Sequence, residues 1–290
     1  MKIGYFYTAW TESGDRFLES AKKKGVEFIP IHYSQVEFLG EVGSWQMSFD
    51  GRSLSEFDIF YFRNVGDRNE TLPLLLEYAK EHNIAFVDQY LSRLGGAMRK
   101  KKSNEAATLL KAGISYAKTF YIGNTNRLRE IVGEWEKPVV VKATSGRHGT
   151  STFLIKTTAD LDKALLGREN ADFLVQEYLP NDGDYRLFLV GYKLIAGFKR
   201  QKKEDKLILN RSLGASELLE KIPEPIARLA QSAAETLGVE VAGIDAVIDQ
   251  RSGKPAIIEV NQSPEFYTME KRTGKDIAGE IIDYLVKKAS

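Results

Sequence analysis

Near the C-terminus, two oxygen-bearing side chains interrupt an otherwise apolar strand. Pro255-Ala-Ile-Ile-Glu-Val-Asn-Gln-Ser-Pro264 carries apolar residues suited to both faces of a buried strand, broken by Glu259 and Asn261. Residues i and i+2 of a strand project to one face, so a carboxylate and an amide oxygen lie side by side. The preceding apolar run, Val241-Ala-Gly-Ile-Asp245-Ala-Val-Ile, adds a second carboxylate. Three hard oxygen donors on neighbouring strands suit Mg2+, which takes a few carboxylates and completes its shell with phosphate oxygens. The competing reading is a pair of buried acids neutralised by Lys or Arg, since buried acids need partners.

The matching cations lie earlier in the chain. Lys137-Pro-Val-Val-Val-Lys142 is an apolar strand ending in a lysine, a costly place for an unpaired ammonium. The loop that follows, residues 145–151, holds Ser145, Gly146 and Gly149, and its backbone N–H groups could cradle phosphate oxygens. It lacks the spacing of a Walker A loop, and no helix follows it. Taken alone, such a loop is more often a plain β-turn. Arg99-Lys-Lys-Lys102 is a basic run in a linker, and by itself reads as a solvated helix end.

Strands and helices must carry these groups. Residues 3–7, 26–31, 59–62 and 84–87 read as strands, with helices over 13–25 and 72–81 and a short hairpin around Asp50-Gly51. That alternation predicts a small parallel α/β domain over residues 1–95. Its first strand–helix turn, Thr8-Ala-Trp-Thr-Glu-Ser-Gly14, lacks the glycine pattern of a dinucleotide site. Further on, residues 104–112, 159–166, 223–237 and 273–288 read as helices, the last with its apolar face in the core. Residues 173–179 read as a strand, and residues 184–200 as an antiparallel hairpin turning at Gly191-Tyr192. The chain has 290 residues, 43% hydrophobic, enough for two or three domains. A net charge of +1 gives no global pull toward nucleic acid or membrane. With no cysteine and three histidines, disulfides, thiolate zinc and multi-histidine metal sites are excluded or disfavoured. No signal-peptide pattern or membrane-length apolar run is present, so a cytoplasmic protein is expected.

In order, the chain presents Lys102, Val-Val-Lys142, Ser145-Gly-Arg-His-Gly149, Gln176-Glu177-Tyr178, Asp184-x-Arg186, Asn210, Gly243-Ile-Asp245 and Glu259-Val-Asn261-x-Ser-Pro264. This series, over about residues 90–290, resembles the ATP-grasp superfamily, most closely the RimK-like amino-acid ligases. The resemblance implies α/β and α+β architecture: a small N-terminal parallel α/β (pre-ATP-grasp) domain, then a two-subdomain ATP-grasp fold. The central (lid) subdomain would span 96–180 and the C-terminal subdomain 181–290.

It also implies roles. Lys102 and Lys142 would contact the phosphates of ATP, and the loop with Ser145, Gly146 and Gly149 would close over them. Gln176, Glu177 and Tyr178 would form the hinge that meets adenine, and Asp184 would contact the ribose. Asn210 would serve both nucleotide and chemistry. Asp245, Glu259 and Asn261 would hold two Mg2+ ions, for which Mn2+ could substitute. The implied reaction joins a carboxylate acceptor to an amino-acid donor through an acylphosphate, with glutamate or another amino acid added to a protein, peptide or small molecule. Peptide macrocyclisation or a biosynthetic ligation is the alternative. Arg186 would stabilise the developing oxyanion, and Arg200, on one strand face with Phe198, would bind an acidic substrate. A nucleotide-binding regulatory or nucleic-acid-binding protein is the rival of another class. The basic runs lack interleaved aromatics, so nucleic acid is not an expected partner, nor is membrane. A homo-oligomer is left open. Three positions depart from the family pattern: Ile208 replaces an Arg, Leu213-Gly214-Ala215 replaces Arg-Gly-Gly, and Glu265 follows Ser263-Pro264 where Gly is common.

Overall fold

A computed structural model describes residues 1–65, 70–93, 102–143, 152–168, 170–201, 216–218 and 221–290. The first unit runs β1 (Lys2–Tyr7), α1 (Glu12–Lys23), β2 (Glu27–His32), β3 (Val36–Glu41), β4 (Ser44–Phe49), β5 (Arg52–Ser53), β6 (Ile59–Phe62), α2 (Thr71–Glu81), β7 (Ala85–Val87) and α3 (Tyr90–Arg93). Its main sheet has the order β2-β1-β6-β7, all parallel. Sequential strands that pair in parallel need crossovers, and α1 and α2 supply two of them. Strands β3, β4 and β5 form a separate antiparallel sheet, and Asp50 and Gly51 make its tight turn with φ of 49° and 70°. The expected parallel sheet and the hairpin are therefore present.

The second unit runs α4 (Lys102–Lys111), β8 (Thr119–Ile122), α5 (Thr125–Glu134), β9 (Val139–Ala143), β10 (Thr152–Ile155), α6 (Thr158–Leu165) and β11 (Phe173–Glu177). Its sheet is antiparallel in the order β10-β9-β11-β8. Leu128, Ile131, Leu161 and Leu165 from α5 and α6 bury its apolar face against Val139, Val141, Phe173 and Val175. Helix α4 does not join that core. Its Ala106 and Leu109 pack with Ile226, Ala230 and Ala233 of the third unit.

The third unit comprises β12 (Gly183–Val190), β13 (Lys193–Gln201), β14 (Ser216–Leu218), α7 (Glu224–Leu237), β15 (Val241–Ile248), β16 (Pro255–Gln262), α8 (Tyr267–Thr273) and α9 (Ile277–Ala289). Its sheet is antiparallel in the order β14-β13-β12-β15-β16. One face, with Leu187, Leu189, Ile244, Ala246, Ile257 and Val260, is sealed by α7 and α4. The opposite face is covered at one end only. There Phe188, Val190, Ala196 and Phe198 pack with Phe266 and Met269 around α8, and with Ile277, Ile281 and Ile282 of α9. The same core takes in Ile3, Tyr5 and Phe17, so the first and third units are joined through α1 and α9. Besides the packing of α4, the second and third units share a small cluster, Ala117, Leu179, Val247 and Ala256.

Candidate active site

The other end of that half-covered face carries the charged residues. Cross-strand register sets them in a diagonal: Arg200 of β13 opposite Asp184 of β12, Arg186 of β12 opposite Asp245 of β15, and Asp245 opposite Glu259 of β16. Asn261 stands opposite Gly243, one step further along β16. Period-two alternation explains the arrangement: Asp184, Arg186, Asp245, Glu259 and Asn261 each flank a core residue such as Tyr185, Leu187, Ile244 or Val260, and Arg200 shares its face of β13 with Phe198.

The cluster is tightly bonded at its centre. Arg186 Nη1 donates to both Asp245 oxygens at 3.0 Å. Arg200 Nε donates to Asp184 Oδ1 at 3.0 Å and Oδ2 at 2.9 Å, and its Nη2 reaches Asp245 Oδ1 at 2.9 Å. Burial pushes the Asp184 carboxyl up, and the Arg200 guanidinium only partly offsets it. Arg200 itself is held charged by Asp245 and Asp184 against its own burial. Gly243 leaves room for this packing: a Cβ there would stand 2.6 Å from Pro264 Cβ and 3.0 Å from Arg186 Nη2.

At the edge the pattern changes. Glu259 and Asn261 are half-buried, and neither side chain makes a hydrogen bond among the described residues. Lys142 reaches the same place from β9 of the second sheet. It is 8% exposed, and burial pushes its ammonium down. Glu259, Glu105 and Asp245 pull it back up, and Lys102 adds to the fall. Two sheets thus bring lysines and carboxylates to one spot. Two carboxylates and an amide oxygen on an open face fit Mg2+ as donors. Asp245 would have to release part of its guanidinium contacts to take part. Among the described residues no group of three or more His, Asp or Glu forms a metal-holding cluster.

The other sequence-predicted residues are placed as follows. Gln176 is 3% exposed and donates from Nε2 to Thr119 Oγ1 at 2.9 Å. Glu177 Oε1 accepts the Lys118 N–H at 2.9 Å, and Tyr178 is half-buried where the chain leaves β11 for the third unit. Lys102 opens α4, half-buried. Lys199 points away from the cluster, pairing with Asp182 at 2.7 Å. Ser145, Gly146, Gly149 and Asn210, together with Ile208 and residues 213–215, lie outside the described residues.

Several residues near the site escaped sequence reasoning. Arg63 follows β6 directly and is 1% exposed. Its Nη2 donates to the carbonyl oxygens of Pro264 at 3.1 Å and Ser263 at 3.4 Å. Ser13 of α1 donates to Glu265, whose carboxylate also accepts the Phe266 N–H at 3.1 Å. The carboxyl end of a parallel sheet at its strand-order reversal is where such folds hold ligands. Here the loop after β16 fills that place, docked by Arg63 and Asn64 on Ser263 and Pro264 and by Ser13 on Glu265. Arg272 of α8 stands over the Phe198 ring at 5.6 Å, on the site face. Glu105 lies one helical turn after Lys102. An acid within the apolar stripe of Ala106 and Leu109 was the one signal available for it.

Comparison with known proteins bears on the family and the fold. Residues 98–285 match the RimK-like ATP-grasp domain. A probable alpha-L-glutamate ligase of Pseudoalteromonas translucida is 38% identical over 168 residues, which is 56% of this chain and 54% of that protein. The chain thus spans about half the length of this relative. The RiPP-associated ATP-grasp ligase of Chryseobacterium gregarium, solved with ADP and a leader and core peptide, superposes with a TM-score of 0.73 at 16% identity. That superposition covers 100% of this chain and 98% of the other. The macrocyclase MdnC of Microcystis aeruginosa, bound to its precursor peptide, superposes with a TM-score of 0.70 at 15% identity, covering 99% of this chain and 100% of that one. At such identities the two structures share the fold alone, and they share it along the whole chain. With the family match spanning most of its residues, the chain belongs to the RimK-like ATP-grasp family.

Proposed function

We propose that the chain is an ATP-dependent carboxylate–amine ligase that forms an amide through an acylphosphate. The donor is glutamate or another amino acid, and the acceptor is a carboxylate of a protein, peptide or small molecule. The observation that carries this reading is the meeting of Lys142, buried on the second sheet, with Glu259 and Asp245 of the third. A buried lysine beside a carboxylate, Glu259, that makes no hydrogen bond among the described residues is a poor structural filler and a good anion site.

The residues divide the work. The acceptor carboxylate attacks the γ-phosphorus of ATP, the bond to ADP breaks, and the acylphosphate forms. This step is mostly positioning and charge neutralisation. Lys142 and Lys102 face the phosphate oxygens, and Lys142 acts unscreened because water is excluded around it. Two Mg2+ ions, when bound by Glu259, Asn261 and Asp245, add neutralising charge to the phosphates. The donor amine then attacks the acyl carbon, its proton is lost, and phosphate leaves. The oxyanion that develops needs a donor. Arg186 Nη2 serves, since Nη1 is engaged by Asp245. Arg200, with its side chain 28% exposed, receives the second carboxylate of an acidic substrate in exchange for part of its pairing.

A second reading places acceptor and amine on one peptide, giving a macrocycle. It is supported by the peptide-bound ligases that share the fold. Panels of carboxylates and amines, scored for ADP release, test the proposal. ADP formation that requires both partners, with amide product by mass spectrometry, supports it. Nucleotide hydrolysis indifferent to both would reject it. A peptide that loses one water without a free amine would select the second reading.

A further inference from the structure

Glu105 reaches β16, the strand of Glu259 and Asn261, from α4. It is 2% exposed and stands three residues after Lys102, so both lie on one side of the helix. Its Oε1 accepts the Val260 N–H at 3.0 Å and the Tyr116 hydroxyl at 3.3 Å. Val260 is the residue between Glu259 and Asn261. β16 is an edge strand, so its outward N–H groups have no strand to pair with. Two of them are met by the segment that leads into the second sheet: Ile257 N–H by the Ser115 carbonyl at 2.9 Å, and Val260 N–H by Glu105.

Those two bonds flank an irregularity in the strand. Asp245 pairs with Glu259, yet the next residue, Ala246, pairs with Ile257, so Ile258 is extra. The bulge lets Ile257 and Val260, three residues apart, both face the apolar core, while Glu259 and Asn261 turn to the open face. On an edge, pairing with β15 constrains such a bulge from one side only. An apolar side chain at position 105 would pack equally well with Ala106 and Leu109 but would leave the Val260 N–H unmet.

We infer that Glu105 is a positioning residue for the metal-binding strand. Bonded to the Val260 N–H, it fixes the bulge that aims Glu259 and Asn261, and it holds Lys102, on the same helix, at a set distance from them. The inference rests on the nucleotide reading of this face. It is tested by calorimetry of ADP binding across a Mg2+ titration, with thermal unfolding of each protein alongside. Glu105→Met fills the space without an acceptor, and it should need about tenfold more Mg2+ for the same ADP affinity, the scale of a lost outer partner at a metal site. Glu105→Gln keeps an oxygen for the Val260 N–H and should return the Mg2+ requirement to within about threefold of wild type, below the loss expected for a missing partner. A lowered unfolding temperature in Glu105→Met with an unchanged Mg2+ requirement would show a purely structural role and overturn the inference. Wild-type protein whose ADP binding ignores Mg2+ would overturn the nucleotide reading beneath it.

Discussion

Two clusters of buried charge look alike in composition and differ in what they leave over. At the seam between the first unit and α9, Asp88 is 4% exposed and accepts the Glu240 and Val241 N–H groups at 2.7 and 3.1 Å. Glu240, 3% exposed, accepts the Gln89 N–H at 2.8 Å and the Tyr284 hydroxyl at 2.6 Å, and pairs with Lys288. Here the acids are occupied by groups that hold the seam closed. On the C-terminal sheet, Asp184 and Asp245 are equally well paired with Arg200 and Arg186, yet among the described residues Glu259 and Asn261 beside them are not. Burial and pairing are therefore common to packing and to function. What separates the site is a half-open face, spare oxygen donors, and a lysine delivered from another sheet.

The sharpest way to break this comparison is to remove the residues that distinguish the site. Lys142→Ala and Glu259→Ala should each cut ligation at least about a hundredfold, the usual loss when one charge-stabilising group is removed. Their unfolding temperatures should stay near wild type, since neither is bonded to the described core. Steady-state rates and melting curves on the same preparations decide it. Wild-type rates in both would place the site elsewhere.

Arg200→Ala should come next. It leaves Asp184, 7% exposed, without its main partner and should cost about 3 kcal/mol of stability. Denaturant titration measures this directly. In separate kinetics the KM for an acidic substrate should rise while ADP affinity changes little. An unchanged KM for both substrates would make Arg200 purely a partner of the acids.

Gly243→Ala crowds Arg186 Nη2 and Pro264 and should lower stability by about 1–3 kcal/mol, as overpacking does. Its kcat should fall further than its KM rises, because the displaced group is the proposed oxyanion donor. A loss of stability with kcat intact would detach Arg186 from the chemistry.

The seam cluster gives the smallest effect on ligation, and the contrast. Burial, with Glu240 alongside, pushes the Asp88 carboxyl up to about 7. A raised folded-state pKa means a contribution that is full below the unfolded value of 3.8 and lost as pH rises through about 7. The slope cannot exceed about 1.4 kcal/mol per pH unit. Asp88→Asn retains an oxygen for the two N–H groups, so its stability should fall less across that window while ligation kinetics stay as in wild type. Parallel stability curves for the two proteins would remove Asp88 as the source.

How much of this was legible depends on how local each feature is. The parallel sheet, the hairpin turn at Gly191-Tyr192, and Glu259 and Asn261 on one face all follow from periodicity and turn chemistry within a few residues. Helix α5 was missed because its apolar stripe is thin, although Asn124 caps it by accepting the Arg127 N–H at 3.0 Å. Residues 273–288, read as one helix, begin α9 only at Ile277. Thr273 instead ends α8, Gly274 takes a φ of 67°, and Asp276 caps α9 by accepting the Gly279 N–H at 2.9 Å. The apolar spacing runs on across that break, which hid it. Arg63 and Glu105 were out of reach for a different reason. Their partners, Pro264 and Val260, are 201 and 155 residues away in the chain, and no periodicity carries that information.

The central claim concerns a place, so a structure with ligand tests it most directly. Crystals grown with ADP and Mn2+, with data collected to show anomalous scattering, should place metal about 2.1 Å from Glu259 and Asn261 oxygens. The ADP phosphates should lie against Lys142. Nucleotide and metal bound at any site that does not touch Lys142 or Glu259 would contradict the account.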